Sequence, residues 1–505
     1  MRLRIATAIL LLGAAACRTA SQGNQPLAPK DNAEEGSVST AFTSEDWRAR
    51  PPEPGPSPKL TFPRIQTLTL DNGIPVYLVE GHARPLVVVR VVIRAGSSSD
   101  PPRRAGLAQF VATLVPMARA GRSALSASDE IENIGGTLSS GAAQDSSFVM
   151  LDCLREHLAA SLDLLAAVLV SNEFDAQQFE RRRAEAVAEI RKQRDTGILV
   201  AQSVLHSLAY GAQHPYAHSI PGTEDSIHRF TRRDVIDFHR TYWTPRNVVI
   251  SVVGDVTAEE VKESLNQKLA TWNKPLKPKQ PSAVPAGSNG GLELVLVDSP
   301  GSSQASVAIG HVGPPRGSPD WGAATVMSRA LGGYFGSRIT QRIRVAKGYT
   351  YTSSSTILSS SMGPGLVSIR NAIGLAQVAA AIREILNEVT RMQTEPVSGQ
   401  ELEVAKALST DGVATRLQSN QQIAAALDDS ILFGGKTDFF DRDVSMIQSL
   451  KPEDVRKAAF TYLPPNSLKI VVVAPAAKVE KELVALGLGE LRRETLADAL
   501  RISGR

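Results

Sequence analysis

A short pattern of residues occurs twice in this chain. Asp234-Val235, Tyr242, Pro245, Val248 and Ile250 return as Asp454-Val455, Tyr462, Pro465, Leu468 and Ile470, each 220 residues later. Each copy reads as a helix, a turn stopped by proline and a buried strand, the strands being Asn247 to Val253 and Ser467 to Val473. Repetition at a fixed offset is the mark of a duplicated structural unit. Gly106 and Gly322, each opening a small-residue helix after a Pro-containing loop, match at the nearby offset of 216. The expectation is two homologous domains of about 210 residues, joined near Trp272 to Gly291, where Lys, Pro, Ser and Gly dominate.

Within the copies, strand and helix signals alternate. Leu86 to Ile93 is a β-branched run, and Leu154, Leu158, Leu162, Leu165 and Leu169 fall on one helical stripe, so the body mixes α and β. Ahead of it, Arg2 and Arg4 precede an apolar run from Ile5 to Leu12 and then Gly13-Ala14-Ala15-Ala16-Cys17. That run falls short of the roughly 18 apolar residues a membrane span needs and reads as a secretory signal. A cysteine directly after small residues resembles a bacterial lipoprotein signal, with Cys17 the lipidated first residue of the mature chain; an ordinary secretory signal with an incidental cysteine is the alternative. From Arg18 to about Leu60, including Pro51 to Pro58, the chain reads as a semi-extended tether.

Composition excludes several classes. The chain has two cysteines, so a mature form beginning at Cys17 keeps only Cys153 besides the lipid site; no intramolecular disulfide or Cys-rich zinc site is available. Lys plus Arg at 55 against Asp plus Glu at 51 gives net +4, spread without a basic stripe, and nucleic-acid binding is not expected.

Leu70 to Tyr77 (LDNGIPVY), Val92 to Ser97 (VIRAGS), His214-Pro215-Tyr216, Pro221-Gly222-Thr223 and Val253-Gly254-Asp255 together resemble the insulinase or pitrilysin family of metallopeptidases, in its processing-peptidase branch. The resemblance covers roughly residues 62 to 478. It implies an α+β chain of two homologous processing-peptidase-like domains, each a largely antiparallel sheet with helices packed on it, and two such chains facing each other around a chamber. The boundaries expected are a signal peptide at 1–17, a disordered tether at 18–60, an N-terminal domain at 61–275, a linker at 276–291, a C-terminal domain at 292–480 and a tail at 481–505.

Family members that cleave peptides carry His-x-x-Glu-His on a helix, because i and i+4 put both imidazoles on one side of the zinc and the Glu lies close to its water. By the resemblance those places hold Gln109, Ala112 and Thr113. An amide and a hydroxyl are poor zinc donors beside imidazole, and a methyl group is no base. The family's further glutamate, some 80 residues on, corresponds to Glu189, and its companion seven residues earlier is replaced by Arg182. The expectation is that Glu189 is a solvated or ion-paired helix residue, that this chain holds no metal of its own, and that zinc belongs to a partner subunit.

Two other groups invite comparison. His214-Pro-Tyr-Ala-His218 spaces two histidines by four, but Pro215 argues against a helix through the pair, so a loop pair is expected. Glu180, Glu185 and Glu189 are surrounded by Arg181, Arg182, Arg183 and Arg191, which reads as a charge-laced exposed helix.

The second half retains more. A helix is expected from near Trp321 through Arg344, ending before Gly348 and giving way to a strand at Tyr349 to Ser353. From the residues alone, Arg344 capping the helix and Tyr351 filling a sheet face is the plainer reading. The resemblance implies instead that Arg344 and Tyr351, in Arg-x-x-x-x-Gly-x-Tyr, are substrate-binding donors near the scissile carbonyl. The short Leu331 to Ser337 stretch lacks a long glycine-rich loop, so presequence recognition is not carried over.

These readings converge on a non-catalytic subunit of a heterodimeric zinc metallopeptidase. Its expected partners are a zinc-signature homologue, a peptide substrate bound as an added strand, and the membrane through the lipid anchor, with the chain in the bacterial envelope on the outer membrane facing the periplasm. A catalytically dead, lipid-anchored peptide-binding scaffold and a self-sufficient enzyme with replacement ligands stay open as alternatives.

Overall fold

The computed structural model describes residues 63–117, 127–170, 174–272, 290–358, 363–415, 417–433 and 437–502. Cys17, the signal, the tether and nearly all of the linker lie outside them. Two six-stranded sheets carry the chain. The first contains β1 (Gln66–Thr69), β2 (Pro75–Glu80), β3 (Leu86–Ile93), β4 (Thr137–Ala142), β5 (Ser147–Leu154) and β6 (Val248–Gly254), in the order β1-β2-β6-β3-β5-β4. The second contains β7 (Glu293–Asp298), β8 (Gln304–Val312), β9 (Thr350–Leu358), β10 (Leu366–Gly374), β11 (Lys469–Ala474) and β12 (Leu491–Thr495), in the order β12-β7-β11-β8-β10-β9.

The duplication read from the sequence is a structural one. β2 and β7, β6 and β11, β3 and β8, β5 and β10, and β4 and β9 hold equivalent places, and β2–β6 and β7–β11 are both parallel pairs in otherwise largely antiparallel sheets. The recurring motif is helix Arg232–Tyr242 followed by β6, and helix Pro452–Tyr462 followed by β11. The outer position beside β2 is filled by β1 from upstream, antiparallel; beside β7 it is filled by β12, parallel, from near the chain's end. The stretch expected as a tail is therefore folded as far as Ile502. Without β12 the outer edge of β7 would be an open ladder, and the helix Leu496–Ile502 that follows buries Ala499.

One face of each sheet is covered by helices of its own half. On β6, Val248, Ile250 and Val252 enter a core with Phe110, Leu165, Phe179 and Phe230; on β11, Ile470, Val472 and Ala474 enter its counterpart with Leu331, Ile343, Ile385 and Val455. The opposite faces are covered reciprocally. Helix Gly197–Tyr210 of the first half lays Val200, Val204 and Leu205 against Val295, Val471 and Val473 of the second sheet, and helix Asn420–Phe433 lays Ala424, Leu427 and Ile431 against Val88, Val249 and Val253 of the first. Both faces being covered explains why β6, apart from Ser251, and β11, after Lys469, are near-continuous apolar runs rather than alternating ones.

Polar contacts pin this exchange. Arg90 on β3 pairs with Asp428, Nη2 to Oδ2 at 2.6 Å and Nε to both oxygens at 2.9 Å, while Phe148 lies against its guanidinium at 4.0 Å. Arg94 donates to the Ile431 carbonyl at 3.2 Å, Asn420 donates to the Leu86 carbonyl at 3.2 Å, and Tyr210 donates to the Pro364 carbonyl at 2.9 Å.

Candidate functional site

The helix Leu107–Leu114 starts at Gly106, where φ is 94°, and its first N–H groups are taken by Asp100: Oδ2 accepts from Gly106 N and Oδ1 from Ala108 N, both at 2.7 Å. Burial holds the Asp100 carboxyl well above the usual range, against the pull of these backbone donors. The helix buries Leu107, Ala108, Phe110, Val111, Ala112 and Leu114, and Phe110 meets Phe179 and Phe230 edge-on at 5.4 and 5.5 Å. Gln109 and Thr113, at i and i+4, are left partly exposed on one side, while Ala112 is fully buried in the core.

Gln109 is committed to the sheet. Its Oε1 accepts from Ala142 N at 2.7 Å. Ala143 N–H bonds the Ser146 carbonyl and the register pairs Ala142 with Ser147, so Ala142 is a non-hydrogen-bonded pair whose N–H points to the free edge of β4. The amide of Gln109 closes that point of the edge. Thr113 Oγ1 bonds back to the Gln109 and Phe110 carbonyls at 2.9 and 3.2 Å, a common use of threonine within a helix, and accepts from Arg182 Nε at 2.9 Å.

Arg182 lies on helix Ala176–Arg194, which Asp175 caps by accepting from Gln177 N and Gln178 N. Its side chain is 7% exposed; Nη1 and Nη2 meet the two Glu189 oxygens at 3.0 Å each, and Nη1 also reaches Glu185 at 3.3 Å. Burial pulls the Arg182 pKa down, and the carboxylates of Glu189 and Glu185 more than offset it, leaving it raised. Glu185 is held low: burial works to raise it, and Arg181 and Arg182 outweigh that. Glu189 is thus an ion-paired residue on a helix laced with charge, as are Glu180 with Arg183 and Glu185 with Arg181.

This donor set does not fit zinc. The Gln109 oxygen is spent on a backbone N–H, the Thr113 oxygen on a guanidinium, both Glu189 oxygens on the same guanidinium, and Ala112 offers a methyl group. Among the described residues no three His, Cys, Asp or Glu side chains are gathered as a metal centre requires. His214 and His218 stand in turns: His214 stacks on Tyr210 at 5.0 Å and its Nδ1 accepts from Tyr216 N at 3.0 Å, while His218 Nδ1 lies 3.3 Å from the Ser219 carbonyl. A third histidine, His206, sits beside them with Nδ1 3.4 Å from the Tyr216 carbonyl; burial pushes its pKa down to about 4 and also lowers that of His218.

In the second half the expected single helix is two. Helix Trp321–Gly332 ends at Gly332, where a Cβ would come within 2.8 Å of the Ser355 side chain, and a π-helical segment Thr340–Ala346 follows a turn. The chain reverses at Gly348, φ 64°, whose N–H bonds the Arg344 carbonyl at 3.1 Å while Tyr349 N–H bonds that of Ile343 at 2.8 Å. β9 then forms the free edge of the second sheet, and the register with β10 shifts between Ala372 and Ile373, opposite Tyr351. The wide helical turn and the reversal bring Arg344 onto the Tyr351 ring, 4.6 Å from its centre, and beside Phe335 at 5.1 Å. Tyr351 is 79% and Phe335 61% exposed. The sequence pattern marked Arg344 and Tyr351; Phe335 carried no signal beyond being an aromatic residue between glycine-containing turns.

The sequence profile described as insulinase (peptidase family M16) matches residues 76–224, which include Gln109, Thr113, Arg182 and Glu189. The profile described as peptidase M16 inactive domain matches residues 229–409, which include Arg344 and Tyr351. The chain belongs to the insulinase family of peptidases. Similar chains include an uncharacterised zinc protease of Bacillus subtilis, 23% identical over 401 residues covering 78% of this chain and 95% of that one. A probable mitochondrial-processing peptidase subunit beta of Arabidopsis thaliana is 26% identical over 296 residues, covering 57% of this chain and 55% of that one. In structure the chain resembles a peptidase M16 inactive domain from Pseudomonas fluorescens, with TM-score 0.73 and 24% identity over 81% of this chain and 98% of that one. It also resembles a protease from Helicobacter pylori, TM-score 0.77 and 20% identity over 82% and 100%. The fold is shared with these two solved structures; the side chains at the site are this chain's own.

Proposed function

We propose that this chain is the non-catalytic subunit of a heterodimeric zinc metallopeptidase and contributes Arg344 and Tyr351 to peptide binding at a partner chain's zinc site. The observation that carries the reading is the contrast between the two halves. In the first, Gln109 is spent on the Ala142 N–H, Ala112 is buried in the core, and Thr113 and Glu189 are held by Arg182; in the second, Arg344 stacks on the exposed Tyr351 of the edge strand β9. A guanidinium stacked on a tyrosine ring keeps its N–H edge and the phenol hydroxyl open to a peptide carbonyl, the arrangement that donors to a developing oxyanion require. The zinc would be held by a homologue carrying His-x-x-Glu-His, and a relative such as the Arabidopsis peptidase is itself named as a subunit. The substrate would be an extended peptide added at a sheet edge, and lipidation at Cys17 would hold the complex at the outer membrane facing the periplasm.

The test is a peptidase assay with zinc analysis on this chain alone and after co-expression with a zinc-signature homologue. Activity in the co-purified complex that collapses with Arg344→Ala and Tyr351→Phe supports the reading. A complex whose activity ignores both substitutions would remove Arg344 and Tyr351 from the site; metal-free inactivity in both samples, with no complex formed, would leave a lipid-anchored peptide-binding scaffold.

A further inference from the structure

Arg182 is an unusual residue to find where it is. Its side chain is 7% exposed, yet its helix faces solvent with Arg181 and Glu189, 66% and 56% exposed. The guanidinium bridges two helices: Nε reaches Thr113 on Leu107–Leu114, and both Nη groups reach Glu189 on Ala176–Arg194. It binds the two oxygen-bearing side chains that a metal between these helices would need, and it does so with a fixed single charge. We infer that Arg182 is the resident cation of this site, replacing the metal ion that zinc-bearing relatives hold and keeping divalent ions out.

Two physical arguments support the replacement. A planar guanidinium matches a carboxylate through paired N–H···O bonds, and this bidentate pairing to Glu189 occupies the lone pairs that a metal would take. A divalent ion at the same place would also sit beside a buried arginine that stays protonated, and like charges at that separation repel strongly where water is scarce. Arginine at position 182 thus gives Glu189 its counter-charge and ties the two helices together through Thr113 with no ion to load. The inference goes beyond the shared-site proposal, because it concerns the first half alone and stands whether or not a partner exists.

The experiment compares zinc stoichiometry and affinity, by elemental analysis and competition with a chromophoric chelator, in the full chain and in two variants. Gln109→His/Thr113→His restores both imidazoles beside Glu189 but keeps Arg182, and is expected to remain metal-free at equimolar zinc. Adding Arg182→Ala to that pair is expected to raise zinc affinity about a hundred-fold or more, given the charge removed. Equal zinc binding with and without Arg182 would overturn the inference, as would failure of the triple variant to bind zinc while its circular dichroism matches the parent. The unsubstituted chain supplies a check that needs no variant: its unfolding temperature is expected to be the same in zinc and in chelator, and a rise in zinc at stoichiometric concentration would show an open metal site and sink the idea.

Discussion

Arg90 and Asp428, 338 residues apart, form a two-pronged ion pair across the seam where a helix of the second half covers the first sheet. The Arg90 side chain is only 10% exposed and also lies against Phe148. Removing the carboxylate leaves a buried charge with no counter-ion. Asp428→Ala is expected to lower unfolding free energy by about 3–5 kcal/mol. Denaturant titration of the full chain checks this, and a loss below about 1 kcal/mol would mean the pair is not a buried one in solution.

The reciprocal exchange of helices makes a second expectation. Leu205, fully buried, belongs to the first half but packs against Ala308 and Val471 of the second sheet. Leu205→Ala should cost about 2–5 kcal/mol and shift the unfolding of both halves together. Two separate transitions, with only one of them moved, would contradict the interlocked core.

The histidine cluster beside that seam sets a pH dependence. Burial depresses His206 from 6.5 to about 4. A base whose folded pKa is lowered contributes stability that is fully present above the unfolded pKa and is lost as pH falls. Stability should therefore decline from about pH 6.5 toward pH 4, with His206 accounting for on the order of 2–3 kcal/mol. Burial lowers His218 too, with the same sign. His206→Gln should flatten the curve of unfolding free energy against pH; an unchanged slope would remove His206 as its source.

At the edge of the first sheet, Gln109→Ala should release the Ala142 N–H while changing stability by only about 1 kcal/mol. Hydrogen exchange across 137–142 is the measurement, with faster exchange at Ala142 expected and unaltered protection ruling out the contact.

Beside the candidate substrate pair, Phe335→Ala removes one of the two rings flanking Arg344. An exposed cation–π contact is worth about 0.5–1 kcal/mol, so KM in the reconstituted complex should rise roughly two- to five-fold with the fold intact. An unchanged KM would leave Tyr351 as the only ring that matters to Arg344.

Much of this architecture is legible in the amino-acid sequence. Leu86 to Ile93 became β3 to the residue, and Leu158, Leu162, Leu165 and Leu169 became the buried stripe of one helix, because side-chain periodicity reports local geometry directly; Leu154, expected on the same stripe, instead ends β5, since the helix begins only at Leu158. The expected helix ran straight through Gly332, Gly333 and Gly336, each of them a weak helix former; the structure breaks there, and at Gly332 the chain passes so close to Ser355 that a Cβ would not fit. Nor did Leu491 to Thr495 announce itself as a strand, because it pairs only at one edge and is mostly exposed.

At the site, residue types were enough to say what Gln109, Ala112 and Thr113 are unable to do, since donor chemistry belongs to a side chain wherever it sits. What those side chains do instead depended on neighbours distant in the chain: Ala142 for Gln109 and Arg182 for Thr113. The duplication, the apolar strands and the missing imidazoles are properties of the sequence itself, because they rest on spacing and residue type. Which helix covers which sheet was decided only in three dimensions. A run such as Val248 to Val253 demands burial on both faces, and an apolar surface accepts any partner of matching shape; here, packing chose the helix from the other half.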